Sequence, residues 1–95
     1  MKQPAVYILA SQKDGTLYIG VISNLPLRIW QHKNHQAEGF TKKYNVTTLF
    51  YFEQAEIMES AIAREKALKK FSREAKIKLI EANNSDWMDL YETII

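Results

Sequence analysis

The chain has no cysteine, which removes a disulfide framework and a thiolate metal site in one step. It also has no apolar run near the roughly 20 residues that a membrane-spanning helix needs. No small-residue cleavage site follows Met1-Lys2-Gln3-Pro4, which leads straight into an apolar segment. The expectation is a cytosolic, cytoplasmic protein with no signal peptide and no membrane partner. Neither common phosphate-binding glycine loop is present, and no small-molecule cofactor is expected. Internal repeats, low-complexity tracts and linkers are missing too, so residues 1–95 read as one domain. No serine or cysteine nucleophile is suggested, and two histidines without carboxylate spacing do not make a zinc motif. A net charge of +2 is too small by itself to require a nucleic-acid partner.

What is present starts with a hairpin. Ala5-Val6-Tyr7-Ile8-Leu9 and Leu17-Tyr18-Ile19-Gly20-Val21 are runs of branched and aromatic residues, and Asp14-Gly15 between them is a turn signal. Any even-length loop puts Tyr7 and Tyr18 on the same face, because side chains alternate with period two. A two-residue loop pairs Tyr7 with Ile22, a four-residue loop with Gly20 and a six-residue loop with Tyr18. Asn24 then reads as an N-cap, with Pro26 tolerated in the first turn of a helix from Leu25 to Asn34. Within it Leu25, Arg28, Ile29 and His32 share one face, so Arg28 and His32 project together from the side that packs on the sheet.

His35 to Asn45 reads as a polar loop, in which Lys42 and Lys43 are candidates for a phosphate backbone. Val46 to Glu53 is a third strand, apolar enough to suggest a central or well-covered position. Glu56 to Lys70 is the strongest helix, with a buried stripe of Met58, Ala61, Ile62, Leu68 and Phe71. Glu65 falls inside that stripe, about 40° from Ala61. A buried carboxylate costs several kcal/mol unless something compensates it, such as a cation, a metal or a hydrogen-bond network. It reads either as an edge residue that reaches solvent or pairs with Arg28, or as a carboxylate held in a cleft for a divalent ion. Ser72 caps a last helix from Arg73 to Ala82, with Ala75 or Lys76, Ile77 and Ile80 inward. The Asn83-Asn84-Ser85-Asp86 cluster ends it, since Asn tolerates a left-handed terminus, and Trp87, Leu90 and Tyr91 dock back on the core. Lys66, Lys69, Lys70, Arg73, Lys76 and Lys78 lie within thirteen residues, either as a solvated face or as a phosphate-facing surface.

Two phenols, Arg28, His32 and Glu65 together make a set suited to cleaving a phosphodiester. A glutamate holds Mg²⁺, an arginine binds the phosphate, and a histidine or tyrosine takes the proton of the attacking water. With those residues in view, Val6-Tyr7-Ile8 followed by Tyr18-Ile19-Gly20 resembles the paired motif of the GIY-YIG nuclease superfamily. Arg28 and His32 stand ten and fourteen residues after Tyr18, as in that family, and residues 61–70 are similar to its glutamate helix. The closing residues 84–90 resemble the tail of its small, single-domain bacterial branch. Two departures stand out. Ala5 or Val6 occupies the place of the first glycine, and Val21 that of a lysine some relatives use to activate a tyrosine.

The resemblance implies an α/β (α+β) domain, with a three-stranded antiparallel sheet flanked by helices. It implies an endonuclease that hydrolyses DNA with Mg²⁺ or Mn²⁺, in the setting of DNA repair or recombination. Structured, damaged and single-stranded substrates are all open. By the same resemblance Tyr7 and Tyr18 position or activate the water, Arg28 binds phosphate, His32 assists proton transfer, Glu65 is the metal ligand, and Asn84 fills the family's downstream asparagine role. DNA contact then falls to Lys42, Lys43, Lys66, Lys69, Lys70 and Arg73, giving weak and steeply salt-dependent binding. The alternative is a catalytically idle module that uses the same cleft for nucleic acid or a protein partner.

Overall fold

The computed structural model describes residues 3–37 and 39–95. Met1 and Lys2, where the leader-free start was read, lie outside the described residues, as does Glu38 of the expected polar loop. The order of elements is β1 (Ala5–Ala10), β2 (Leu17–Ile22), α1 (Leu25–Lys33), α2 (Phe40–Lys43), β3 (Thr48–Gln54), α3 (Met58–Lys69) and α4 (Arg73–Asn83), followed by a 3-10 turn at Tyr91–Thr93. The strands form one antiparallel sheet in the order β2-β1-β3.

The hairpin closes through a four-residue loop. Ser11 N–H donates to Thr16 C=O at 3.1 Å, and Gly15 N–H donates to Gln12 C=O at 2.9 Å. Asp14 takes the left-handed conformation, with φ 57°, which aspartate tolerates better than most side chains. The resulting register sets Tyr7 opposite Gly20, and the two tyrosines share a face as parity requires.

β1, not β3, is the central strand; of the central or well-covered position inferred for Val46 to Glu53, only the covering holds, at Leu49, Phe50 and Tyr51. All six residues of β1 are buried because both faces of the sheet are covered. β3 pairs on one side only, and its C-terminal residues Phe52, Glu53 and Gln54 are progressively more open. On one face Val6, Ile8, Ala10 and Ile19 meet Ala61 and Leu68 of α3, Ile80 of α4, and Trp87. On the other, Ala5, Tyr7 and Leu9 meet Leu25 and Ile29 of α1, with Val46, Leu49 and Ile94. Asn24 caps α1 by accepting from Leu27 N–H, and Ser72 caps α4 by accepting from Ala75 N–H at 3.1 Å.

Three further expectations change. Ile62, read as part of the buried stripe of α3, is 38% exposed, while Ala61 and Leu68 are fully buried. The stripe is therefore narrower than the apolar pattern suggested. The segment after α1 is not loop throughout, since residues 40–43 form the short helix α2. The left-handed residue after α4 is Trp87, with φ 53°, and Asn84 instead has φ −150°.

Asn84 is a buried clamp. A bulge in β3 between the partners of Ile8 and Leu9 leaves Phe50 without an opposite residue. Asn84 Nδ2 donates to the Phe50 carbonyl at 3.0 Å and to the Met88 carbonyl at 2.8 Å, while its Oδ1 accepts from Met88 N–H at 2.9 Å. This fastens the end of α4 to the bulge, where Trp87 packs edge-on against Phe50 with ring centroids 5.0 Å apart. Replacing Asn84 with Ala strands the buried Phe50 carbonyl and frees the part-buried Met88 backbone groups. We expect a loss of about 2–3 kcal/mol in chemical denaturation. A change below about 0.5 kcal/mol would show that the clamp contributes little.

Candidate active site

Three aromatic rings meet on the α1 side of the sheet, and a missing side chain makes room for them. A Cβ at Gly20 would stand 2.4 Å from Tyr7 Cζ and from its hydroxyl oxygen, so the Tyr7 ring occupies the space above Gly20. Tyr18, two residues back on the same face of β2, has its ring centroid 6.4 Å from that of Tyr7. His32, in the last turn of α1, lies 6.0 Å from Tyr7 and 6.1 Å from Tyr18, closing a triangle. Tyr7 OH and His32 Nε2 are 3.3 Å apart, and His32 Nδ1 is 3.1 Å from Thr41 Oγ1 of α2. Tyr7, His32 and Thr41 are all nearly inaccessible to solvent.

Burial pushes the Tyr7 phenol up to about 12. Arg28, close enough to act by hydrogen bonding and by charge, opposes that rise, whereas the neighbouring Tyr18 and Glu65 add to it. His32 is pulled down to about 4, first by burial and then by the positive charge of Arg28. At neutral pH the pair is therefore an intact phenol beside a neutral imidazole.

Arg28 sits one turn before His32 and is partly exposed. Its Nη1 donates to Gln31 Oε1 at 3.4 Å, while its Nε is buried without a hydrogen-bond partner. An arginine donor left unsatisfied beside a phenol and an imidazole suits an anionic oxygen arriving from outside the chain. Glu65, on α3, is near enough for its charge to raise the Tyr7 phenol. The carboxylate is not paired with Arg28, as one reading of the sequence had it. It is 16% exposed and accepts an ion pair from Lys69 at 3.2 Å, one turn along. Its burial is thus incomplete and compensated, which lowers the cost expected of a carboxylate on an apolar stripe.

Among the described residues, no three histidine, aspartate or glutamate side chains converge as a ready-made metal cage. A single partly open carboxylate still fits Mg²⁺, which keeps several waters and binds through one or two carboxylates plus substrate phosphate. Lys69 engages Glu65 Oε2.

Beside this cluster a groove of about 320 Å³ runs along the edge of β2, lined by Leu17, Tyr18, Ile19, Phe40, Lys69 and Lys76. The remaining candidates divide. Lys42 and Lys43 are exposed on α2, and Lys66 and Lys70 are exposed on and just after α3. Arg73, also exposed, is already engaged, donating to the carbonyls of Asp14 and Gly15 at the hairpin turn. Asn84 does not join the cluster, since its side chain is taken up by Phe50 and Met88. The structure thus brings Tyr7, Tyr18, Arg28 and His32 together, with Glu65 within electrostatic reach of Tyr7 but paired to Lys69. It also adds three residues that the sequence did not single out for the site: Thr41, Phe40 and Lys76. A lone threonine and a phenylalanine in a polar segment carry no periodic signal, and Lys76 was visible only as one of a run and as an alternative inward residue of the last helix.

His32 makes stability depend on pH. The unfolded chain takes up a proton at this residue near pH 6.5, and the native chain only near pH 4. Falling pH through that window therefore favours the unfolded state, by up to about 3 kcal/mol from this residue. Denaturation curves of the wild type should lose stability between pH 6.5 and 4 more steeply than those of His32→Gln. Equal slopes would contradict a neutral, buried imidazole.

A family profile described as the GIY-YIG catalytic domain matches residues 3–78. A UPF0213 protein of Staphylococcus saprophyticus is 38% identical over 80 residues, covering 84% of this chain and 96% of its own length. One from Clostridium perfringens is 38% identical over 79 residues, covering 83% of this chain and 84% of its own. The solution NMR structure of a UPF0213 protein from Bacillus halodurans aligns with a TM-score of 0.56 at 26% identity, covering 90% of this chain and 89% of that one. Its α+β fold, with helices around a three-stranded antiparallel sheet, is the fold described above. No helix among the described residues is long and apolar enough to cross a membrane. On this footing the chain belongs to the GIY-YIG catalytic domain family, among the UPF0213 proteins of bacteria.

Proposed function

We propose that this protein is a divalent-metal-dependent endonuclease that hydrolyses phosphodiester bonds in DNA. The observation that carries this is the meeting of a buried, unpartnered Arg28 Nε with the Tyr7–His32 hydrogen bond, within electrostatic reach of Glu65. Phosphodiester hydrolysis needs an anion-binding donor, a proton acceptor and a site for a cation, and these three groups supply them.

In this reading Arg28 binds a non-bridging phosphate oxygen and stabilises the charge that grows on it. Water attacks the phosphorus while its proton passes to the Tyr7 oxygen, as the Tyr7 proton passes to His32 Nε2. The phosphorus–oxygen ester bond breaks, and the leaving oxygen takes a proton from solvent. Tyr7 cannot act as a free phenolate at neutral pH, because burial holds its proton on. The neutral His32 is the group with room for that proton. Phosphate bound to Arg28 offsets one of the two influences that depress His32, so substrate makes the imidazole more basic. Mg²⁺ or Mn²⁺ held by Glu65, when bound, neutralises phosphate and leaving-group charge. Lys69 and Lys76 of the groove, together with Lys42, Lys43, Lys66 and Lys70, supply phosphate contacts whose strength falls steeply with salt.

The second reading, a catalytically idle binding module, draws on the Lys69–Glu65 ion pair, which fills the carboxylate without a metal. Glu65→Gln separates the two. We expect Mg²⁺-dependent cleavage, assayed on duplex, nicked, forked and single-stranded DNA, to fall at least about 100-fold. Stability should change by only about 0.5 kcal/mol, since the lost pair joins a partly buried carboxylate to an exposed lysine one turn away. Undiminished cleavage would place the activity elsewhere, and binding without cleavage by the wild type would favour the module.

A further inference from the structure

Five of the six residues from Phe40 to Asn45 are exposed, and the exception is a polar one. Thr41 is 4% exposed, with its backbone carbonyl accepting from Val46 N–H at 2.8 Å and its hydroxyl 3.1 Å from His32 Nδ1. A valine would fill the same space, so packing alone does not call for the hydroxyl. The same short helix brings Phe40 against Tyr18, with ring centroids 6.4 Å apart and planes 25° from parallel. α2 therefore touches two residues of the site, one of them through a directional polar contact.

We propose that Thr41 is a positioning residue that fixes His32 in the tautomer protonated at Nδ1, leaving Nε2 free to accept the proton of Tyr7. Its catalytic consequence rests on the nuclease reading above; the tautomer itself does not. A neutral imidazole has one donor nitrogen and one acceptor nitrogen, and here each faces a hydroxyl. A phenol is a far stronger acid than an aliphatic alcohol, and the Arg28 charge beside Tyr7 strengthens that bias. Tyr7 therefore donates to Nε2, and Nδ1–H donates to Thr41 Oγ1. In the opposite arrangement Thr41 donates to Nδ1, Nε2 already carries a proton, and the imidazole cannot take one from Tyr7. Among the described residues, the groups facing His32 are Tyr7 from β1, Tyr18 from β2, Arg28 from its own helix and Thr41 from α2. Of these, only Thr41 reaches Nδ1.

The test is the ¹⁵N NMR spectrum of the His32 ring at pH 7, in protein without metal or DNA, for the wild type, Thr41→Val and Thr41→Ser. We expect Nδ1–H in the wild type and in Thr41→Ser. In Thr41→Val the Nε2–H form should rise about five- to tenfold, the equivalent of one hydrogen bond. Nε2–H in the wild type overturns the proposal, and so does an unchanged tautomer in a folded Thr41→Val. If the valine variant does not fold, the wild-type and serine spectra decide alone. Cleavage adds a separate readout, in which Thr41→Val lowers kcat and Thr41→Ser restores it. A wild type that cleaves no DNA sinks the nuclease reading while leaving the tautomer result intact. Full cleavage by Thr41→Val together with a shifted tautomer removes the catalytic consequence.

Discussion

A tyrosine ring can occupy the space above a neighbouring strand only where that strand carries no Cβ, and β2 meets this condition opposite Tyr7. Gly20 is needed there for its lack of volume, since its backbone is ordinary and the clash would be with a buried ring. With the ring in place, the Tyr7 hydroxyl comes within 3.3 Å of the imidazole of α1. Asn24 and the hairpin register fix where α1 starts, and that start fixes where Arg28 and His32 emerge. The site is thus a product of strand pairing and helix capping, and it is carried by the core rather than hung on loops.

Burial and charge pull this site in opposite directions, and the balance sets its chemistry. Desolvation keeps Tyr7 protonated and His32 unprotonated. Arg28 works against the first and with the second, leaving a neutral donor–acceptor pair beside one cation. At neutral pH neither buried group carries a charge, so burial imposes no further ionisation cost on the pair. On the other face, Glu53 is held by Arg64 at 3.0 Å and by the Tyr51 hydroxyl. Burial raises that carboxyl, but Arg64 and Tyr51 outweigh it and bring it below its ordinary range. This network ties β3 to α3, the helix that presents Glu65.

Much of this could be read from the residues alone. The shared face of the tyrosines followed from period-two alternation, and the caps at Asn24 and Ser72 from local chemistry. Arg28 and His32 met because a helix brings residues four apart together. What could not be read depended on long-range pairing. Strand order is invisible to apolar content, so β1 and β3 could be exchanged as the central strand. The bulge at Phe50 has no sequence signature, and without it the Asn84 side chain had no evident partner. Thr41 gave no signal because its partner lies nine residues away across a turn. The Lys69 pairing of Glu65 lay within helical spacing and was passed over in favour of a more distant arginine.

The central claim is that the Tyr7 hydroxyl, held against His32, handles the proton of a hydrolytic phosphodiester reaction. Tyr7→Phe tests it most directly, because phenylalanine keeps the ring over Gly20 and removes only the oxygen. Single-turnover cleavage of DNA with Mg²⁺ should fall at least about 100-fold, with stability lower by only about 1 kcal/mol. A Tyr7→Phe protein that folds and cleaves at the wild-type rate would contradict the account.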